Sequence, residues 1–289
     1  MSATQFAAFF ASSAEPLAVV LGTNEVATAV AVKLRRARFS VILSHDLAAP
    51  VIRRGMAFHD ALFDDDLVIQ GVMARRAENA LEIADAAALR HCVAVTPLQI
   101  CDLLALRHIA VLIDARMQER VVTPDFRYFV GLAIGLGPGF TVGGNCDVAI
   151  ETNREHCGTI LTEGSTGGPE GAPDPLGGAA DERCIRAICD GVWHTSLDVG
   201  APVLSGETLG KLGYSTIRAP LDGVLRGLAR DGHFIRAGAS LVEVDPRGRR
   251  GKWRGLDSRG RRIADATLAA IRETQKRRKR APCFAHTRP

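Results

Sequence analysis

An internal repeat in the C-terminal half constrains the fold more than any other feature of the chain. The segment 186–192, with sequence RAICDGV, aligns with RAPLDGV at 218–224, an offset of 32 residues. At the same offset Gly206 corresponds to Gly238. Short strands that are separated by glycine turns and repeated in this way predict a small, pseudo-twofold β sandwich.

The repeat resembles the biotinyl/lipoyl carrier domains, and this resemblance implies the barrel-sandwich hybrid fold for residues 181–247. In that family the hairpin that joins the two halves carries the modified lysine. The corresponding connection at 210–216, GKLGYST, is shorter and has no Met-Lys-Met or Asp-Lys-Ala motif. Lys211 also lies too close to the preceding strand to match. We therefore expect neither biotin nor lipoate on this chain.

The N-terminal half follows the pattern of a βαβ unit. The apolar runs at 17–21 and 39–43 predict buried parallel strands. Between them Val26, Val30 and Leu34 recur at helical spacing. Further along, helices are predicted at about 78–90 and 97–106, and strands at 93–96 and 109–114. This alternation is typical of a doubly wound, Rossmann-like domain.

The chain is therefore predicted to be an α/β protein, with a Rossmann-like N-terminal domain followed by a small all-β barrel-sandwich hybrid domain. The predicted segments are a leader at 1–16, the Rossmann-like domain with a glycine-rich loop at 17–165, a linker at 166–180, the barrel-sandwich domain without its carrier lysine at 181–247, and a basic tail at 248–289. The linker is inferred from its many glycines and prolines.

Charge is distributed unevenly along the chain. The net charge is +4, but residues 247–289 hold 15 Lys/Arg and three acidic residues, so the remainder carries −8. The basic run at 276–280 predicts a disordered, solvated end beyond about residue 275. No aromatic residues are interleaved with this run to stack on bases, which makes nucleic acid an unlikely partner.

The turn after the first strand departs from a dinucleotide fingerprint. That fingerprint needs several glycines, because they let the backbone approach a pyrophosphate. Here Gly22 stands alone and Thr23, Asn24 and Glu25 follow it. Glu25 would place negative charge where a phosphate lies, so NAD in its usual pose is not expected.

A glycine-rich loop at 135–141, GLGPGFT, predicts a site for an anionic ligand, because successive backbone N–H groups can form an anion-binding nest. Arginines can clamp a phosphate or carboxylate, and an asparagine can bond the amide edge of a ring. The candidate ligand-binding residues are Gly135, Gly137, Gly139, Phe140, Thr141, Asn153, Arg154, Arg116 and Arg53. The alternative is that these are turn glycines and surface ion pairs.

Catalytic residues are not identified by any motif. Asp114, Glu151 and His156 are the clustered candidates for acid–base work, but no nucleophile–base pattern accompanies them. The seven cysteines are scattered and no CxxC pair exists, so no metal site is expected and reduced thiols in the cytoplasm are predicted. No apolar run approaches the roughly 18 residues of a spanning helix, and no membrane association is expected.

Several segments taken together resemble the accessory proteins of the selenium-dependent molybdenum hydroxylase system, which are related in role to xanthine dehydrogenase accessory factors. The match spans about residues 17–272. The segments that carry it are VIRR at 51–54 with Ala57 and Phe58, VLIDAR at 111–116, the 135–141 loop, Cys146 and Asp147, ETNR at 151–154 with His156 and Gly158, the repeat, and VDPR at 244–247. The GTNE turn at 22–25 and the arginine-rich stretch 249–262 depart from the family pattern.

This resemblance implies a cytoplasmic maturation factor that handles a molybdenum-pterin cofactor, or its sulfur or selenium ligand, for a client hydroxylase. Two other functions stay open. One is an enzyme that acts on a nucleotide or pterin substrate, and the other is a non-catalytic assembly subunit of a larger complex. The expected partners are a client hydroxylase or another protein, and self-association into a homo-oligomer also stays open.

Overall fold

A large, mostly parallel sheet forms the centre of the molecule and confirms the α/β class. The computed structural model describes residues 7, 9, 11, 15–46, 50–63, 66–118, 122–169, 173 and 175–280. Most of the predicted leader at 1–16 lies outside the described residues. None of the helices that the structure describes has the length and hydrophobicity needed to cross a bilayer.

The central sheet has nine strands in the order β3-β4-β5-β2-β1-β6-β7-β8-β9. The seven inner strands are parallel, and β3 and β9 pair antiparallel at the two edges. The strand bounds are β1 Leu17–Leu21, β2 Ser40–Ser44, β3 Leu67–Ile69, β4 Val72–Arg76, β5 Cys92–Thr96, β6 Val111–Asp114, β7 Ala133–Leu136, β8 Val148–Ile150 and β9 Ile160–Leu161. β1 is buried on both faces, which explains its uninterrupted apolar sequence.

Helices cover both faces of this sheet. Their bounds are α1 Glu25–Arg36, α2 Ala80–Ala88, α3 Ile100–Leu104 and α4 Ser258–Arg280. Short 3-10 turns lie at Arg54–Met56, Phe58–Leu62, Asp181–Arg183 and Gly248–Arg250. α1 and α4 share one apolar core with the sheet, and α2 contributes to a second core on the opposite face.

The C-terminal helix differs from the expected basic tail. α4 continues through Arg280, and its first half packs on the sheet core through Ile263, Ala264, Leu268 and Ile271. The chain is therefore helical, not disordered, from about residue 275 to Arg280; residues 281–289 lie outside the described residues. The apolar residues of α4 recur every three to four positions, and the many arginines between them obscured this helical pattern.

Residues 184–245 form two four-stranded antiparallel sheets, which we call the β-unit. The strands are β10 Cys184–Arg186, β11 Gly191–His194, β12 Pro202–Val203, β13 Thr208–Leu212, β14 Ser215–Arg218, β15 Gly223–Leu228, β16 Phe234–Ile235 and β17 Ser240–Asp245. One sheet has the order β10-β17-β15-β12 and the other β14-β13-β11-β16. Strands that are 32 residues apart in the sequence hold equivalent positions in the two sheets. The sequence repeat is therefore also a structural repeat.

A buried ion-pair network joins the β-unit to the parallel sheet. Glu243 on β17 contacts Arg183 at 2.5 Å, Arg53 at 2.6 Å and Arg226 at 3.1 Å. Arg53 also reaches Glu25 at the start of α1 at 2.8 Å. The side chains of Glu243 and Arg183 are 2% and 1% exposed. Because each charge here has an opposite charge beside it, the network can exist in a water-poor interface.

Candidate functional site

A cavity of about 370 Å³ lies at the carboxyl ends of the parallel strands, beside the β-unit. The turn after β1 and the turn after β6 form one wall of it. The chain leaves β1 for β2 on one side and later returns to β6 on the other. This is the point where the strand order reverses, and in open α/β sheets ligands bind in the crevice at that point.

The turn after β1 is shaped by its contact with the turn after β6. Gly22 has a φ of +105°, and a Cβ there would lie only 3.1 Å from the Ala115 carbonyl oxygen. Asn24 donates from Nδ2 to the same oxygen at 2.8 Å, and its Oδ1 accepts from the backbone of Val26 and Ala27. Gly22 is therefore required for close packing of two strand ends, and Asn24 caps α1.

Arg53 lines the cavity, as expected of a ligand clamp, but all of its guanidinium nitrogens have partners. Its Nη1 donates to Glu25 at 2.8 Å, its Nε donates to Glu243 at 2.6 Å, and its Nη2 donates to Glu243 at 3.4 Å. Glu25, in turn, places a neutralised carboxylate at the start of α1. The helix end is thus occupied by the protein's own ion pair.

Arg116 is held rigidly at the cavity wall by the carboxylate two residues before it. Its Nε and Nη2 donate to Asp114 at 3.0 Å and 2.6 Å. This pairing raises the pKa of Arg116. The same local ring recurs between Asp125 and Arg127 and between Asp245 and Arg247. The remaining guanidinium nitrogen of Arg116, Nη1, has no hydrogen-bond partner among the described residues.

Arg259 is a second anchored arginine at the cavity, and it was missed in the sequence. Its Nε and Nη2 donate to the Thr152 carbonyl oxygen at 3.1 Å and 2.9 Å. Its Nη1 likewise has no partner among the described residues. The contact joins α4 to the end of β8 across 107 positions of sequence. No local motif could have shown it, because the helix that presents Arg259 was itself unforeseen.

Met117 lies beside these arginines in a conformation that is unusual for its residue type. Its φ is +58°, in the left-handed region that L residues rarely adopt. Its side chain faces Gly137, where a Cβ would lie 2.9 Å from the Met117 sulfur. Gly137 itself has a φ of +87°. Backbone strain of this kind clusters at ligand sites, and here it fixes an apolar contact on the cavity wall.

Three backbone N–H groups of the glycine-rich loop, which was expected to form an anion-binding nest, have partners within the protein. The backbone N–H of Gly137 donates to the Ile150 carbonyl oxygen, that of Phe140 to the Thr166 hydroxyl and that of Thr141 to the Asn145 side chain. Of this loop, Pro138 is the residue that lines the cavity.

The remaining loop candidates serve the fold. Phe140 is buried beside Cys146 and Ala149, and its ring occupies the space next to Gly135, where a Cβ would lie 2.1 Å from the ring. Thr141 is exposed and bonds Ser165. Gly139 is a left-handed turn position with a φ of +86°. Phe140 therefore packs in the small cluster behind this loop.

The segment after β8 contributes three cavity residues, Thr152 among them, and two residues that lie outside the cavity lining. Glu151 and Asn153 line the cavity. Both Glu151 oxygens accept backbone N–H groups, from Thr152, Asn153 and Gly167, so this carboxylate fastens the 166–169 stretch to the sheet. Arg154 is exposed and donates to the Pro173 carbonyl oxygen at 3.3 Å. His156 is exposed as well.

Among the described residues no group of three or more His, Cys, Asp or Glu side chains could hold a metal ion. Cys184 lines the cavity, half-buried, and burial raises the pKa of its thiol. A raised pKa disfavours the thiolate. The Cys184 thiol is therefore expected to react slowly and lacks the features of an activated nucleophile. Its reactivity can still be used to detect a ligand in the cavity.

A buried histidine supports the cavity wall from behind. His59 Nδ1 lies 2.9 Å from the Thr23 hydroxyl, and Thr23 lines the cavity. Burial lowers the pKa of His59 to about 3, and nearby His45 and His233 lower it as well. His59 is therefore neutral in the folded protein at neutral pH.

Acidification is expected to destabilise the fold through His59. The unfolded chain takes up this proton near the ordinary histidine pKa of about 6.5, whereas the folded protein resists it down to about 3. The contribution of His59 to the free energy of unfolding is fully present above pH 6.5. As the pH falls from 6.5 to 3, the free energy of unfolding decreases by up to about 1.4 kcal/mol per pH unit. Denaturant unfolding of wild type and His59→Asn from pH 7 to pH 4 measures it. His156→Asn, at an exposed histidine, is the control. Parallel pH curves for wild type and His59→Asn would contradict the expectation.

Comparisons with known proteins give one sequence relative. The chain is 32% identical over 260 residues to the uncharacterized protein YqeB of Escherichia coli strain K12. The match covers 90% of this chain and 48% of YqeB, so the chain spans about half the length of this curated relative. No family model matches the chain.

Solved structures give only weak similarity. The ectoine utilization protein EutE (DoeB) from Ruegeria pomeroyi is 16% identical, with a TM-score of 0.23, over 80% of this chain and 85% of that one. An aspartoacylase family protein from Mesorhizobium loti is 11% identical, with a TM-score of 0.27, over 80% and 85%. Scores this low establish neither a shared fold nor a shared function.

These findings correct the family resemblance drawn from the sequence. The similar proteins are the uncharacterized protein YqeB and structures described as ectoine utilization and aspartoacylase family proteins. None of them is described as a molybdenum hydroxylase accessory protein. The expected family and its maturation-factor function are therefore wrong for this chain, whereas the cofactor and the partner protein are not tested by these findings. The residues that suggested it form strand β6, the β-unit, turns, ion pairs and the small cluster around Phe140.

Proposed function

We propose that this chain binds a small organic molecule with a carboxylate or similar compact anionic group in the cavity at the strand ends. The observation that carries the proposal is the pair of anchored arginines. Arg116 and Arg259 are each fixed through Nε and Nη2 and each keep Nη1 for a ligand. Side chains that are already ordered bind an anion at little cost in conformational entropy.

The rest of the cavity supports a ligand of modest size and mixed polarity. Its volume of about 370 Å³ lies in the lower part of the range for small-molecule sites. Pro138, Met117 and Val242 supply apolar surface, while Asn153 and Thr152 supply polar groups. Because the ion pair of Glu25 with Arg53 occupies the start of α1, that helix end is not open to a polyphosphate. The site is therefore better suited to a compact anion than to a nucleotide.

For the β-unit we propose the barrel-sandwich hybrid fold as its finer description. The support is that strands 32 residues apart in the sequence hold equivalent positions in the two sheets. In this arrangement the β-unit closes the cavity through Ser240, Val242 and Glu243. The expectation that no biotin or lipoate is attached stays a prediction, which an intact-mass measurement checks.

Binding is tested with named probes on the full chain. Acetate, succinate, glutarate and benzoate are screened by thermal shift beside inorganic phosphate and ATP. We expect a carboxylate to raise the melting temperature, and Arg116→Lys or Arg259→Ala to weaken its binding about 10- to 100-fold, the equivalent of a charge-assisted hydrogen bond of about 1.5–3 kcal/mol. The matched control is Arg154→Ala, an exposed arginine outside the cavity lining, which should leave binding unchanged.

A second readout locates the probe. Alkylation of Cys184, followed by peptide mapping, should slow when a bound carboxylate fills the cavity, while alkylation of the exposed Cys101 should not change. Equal binding by wild type and both cavity variants would place the ligand elsewhere. If only Arg154→Ala lost binding, the ligand would be bound by the segment after β8 and not by the two cavity arginines.

A further inference from the structure

The lining of the cavity at the strand ends carries charges of both signs. Among the described residues it includes four arginines and five acidic side chains, so it has no excess of positive charge. A site for a purely anionic ligand is expected to have such an excess. The charged residues of the lining are Arg53, Arg116, Arg186, Arg259, Glu25, Asp46, Glu151, Asp181 and Glu243. This balance favours a ligand that also carries charges of both signs.

Several of these charges are balanced by ion pairs within the protein. Arg53 and Glu25 belong to the network around Glu243. Asp114 balances the charge of Arg116, whose Nη1 stays a hydrogen-bond donor for a ligand. A ligand carboxylate therefore gains a hydrogen bond from Arg116 but little net charge attraction.

Arg259 supplies a positive charge whose anchor is uncharged. Its Nε and Nη2 donate to the Thr152 carbonyl oxygen, which orients the half-buried guanidinium and leaves its full charge. Arg259 lies close to Arg116 in the fold, because Thr152 and Met117 meet at Gly137, where a Cβ would lie 3.2 Å from the Thr152 hydroxyl oxygen and 2.9 Å from the Met117 sulfur. One carboxylate can therefore pair with Arg259 and accept from Arg116.

Asp46 supplies a negative charge in the same cavity. It follows β2, is half-buried, and accepts at Oδ2 from Nε2 of Gln118 at 2.8 Å. Gln118 follows β6, and β2 and β6 flank β1 in the sheet, so this bond crosses the turn after β1. The amide orients the carboxylate but brings no positive charge to it. The charge of Asp46 also contributes to the raised pKa of Arg116, which shows that the two groups face the same space.

The sheet separates Asp46 from the two arginines. Neighbouring strands lie about 4.8 Å apart, so the ends of β2 and β6 are about 10 Å apart, and β8 lies farther along the sheet. The side chains shorten this gap from both ends. An α-amino acid has its ammonium and carboxylate on adjacent carbons and fits such a separation less well than an amino acid with several carbons between its two charges.

We propose that the ligand of this cavity is an ω-amino carboxylate, which places its carboxylate on Nη1 of Arg116 and Arg259 and its ammonium group on Asp46. This inference rests on the proposed function, since it needs the carboxylate site, and it adds the cation of the ligand and the residue that selects it. A simple carboxylate leaves the charge of Asp46 unmatched, whereas an ω-amino carboxylate matches both charges.

The experiment compares pairs of probes that differ only in the ammonium group. Calorimetric titration of the full chain at neutral pH, where both groups are charged, uses glycine with acetate, γ-aminobutyrate with butyrate, and ε-aminocaproate with caproate. We expect γ-aminobutyrate or ε-aminocaproate to bind wild type about 10- to 100-fold more tightly than the matching simple carboxylate, the effect of one charge-assisted hydrogen bond. Glycine should show the smallest preference over its partner.

Three variants assign the preference to one residue. Asp46→Asn keeps the size of the side chain and its ability to accept from Gln118, and it should abolish the preference for the amino acid. The matched control is Asp66→Asn, an exposed carboxylate that pairs with Arg75 outside the cavity lining, and it should keep the preference. Arg259→Ala should weaken both members of a pair by a similar factor. Thermal unfolding checks that each variant is folded.

The outcomes separate this inference from the proposed function. If the simple carboxylates bind wild type and no amino acid binds more tightly, the inference is wrong while the carboxylate site stands. A preference that is confined to glycine, or that survives Asp46→Asn, would also overturn the inference. If no probe of either series binds wild type, the proposed function fails and the inference fails with it.

Discussion

Replacing Glu243 with alanine is expected to lower the free energy of unfolding by about 3–5 kcal/mol, the range found when one partner of a buried ion pair is removed. Burial alone would raise the pKa of Glu243, but Arg53, Arg226 and Arg183 hold it below its ordinary range. Without this carboxylate three guanidinium groups face each other in a water-poor interface. Urea denaturation of the full chain measures the loss.

Two further variants separate charge from shape at this site. Glu243→Gln keeps the size of the side chain and part of its hydrogen bonding, and we expect it to cost less than alanine while still destabilising the protein. Glu273→Gln removes a carboxylate from the exposed pair with Arg277 and should cost less than about 1 kcal/mol. If Glu243→Ala and Glu273→Gln were equally mild, the network would not be the joint between the β-unit and the parallel sheet.

Replacing Trp193 with alanine is expected to cost about 3–5 kcal/mol, because the largest fully buried side chain of the β-unit would leave a cavity. Its ring lies against Gly210, where a Cβ would come within 2.7 Å of it. The ring nitrogen Nε1 is buried without a hydrogen-bond partner among the described residues. Trp193→Phe removes that unsatisfied donor and should therefore cost less than alanine.

The control for Trp193 is Tyr214→Ala in the same β-unit. Tyr214 is fully exposed at the turn between β13 and β14, and its loss should change stability by no more than about 0.5 kcal/mol. Thermal and denaturant unfolding on all three variants give the comparison. A Trp193→Ala variant as stable as Tyr214→Ala would show that the two sheets of the β-unit do not share a packed core.

The predictable part of the fold is the part with local periodicity. Leu17–Leu21 and Cys92–Thr96 are buried parallel strands, and such strands have unbroken apolar sequences that identify them. The edge strands β3 and β9 are short and partly exposed, so their sequences lack that pattern. In α4 the apolar stripe is present, but the density of arginines made the segment look like a solvated tail.

The candidate site was predictable to a smaller extent, because its geometry depends on long-range contacts. Arg116 could be identified, since its partner Asp114 is two residues away. Arg259 could not, because its anchor is the backbone of Thr152, 107 positions away in the sequence. The role of the glycine loop is hard to predict for a similar reason. Whether its N–H groups face a ligand or the protein depends on Thr166 and Asn145, whose positions no local pattern gives.

The strand order of the β-unit has a consequence for how such a unit can arise. Each 32-residue repeat supplies both central strands of one sheet and both edge strands of the other. A chain of one repeat would hold the two central strands of one sheet without their edge strands, and the two edge strands of the other sheet without their central strands. Two identical copies, however, would complete each other through a twofold axis. The architecture is therefore that of a fused homodimer, and a fragment containing a single repeat is expected to fold only by associating with a second copy.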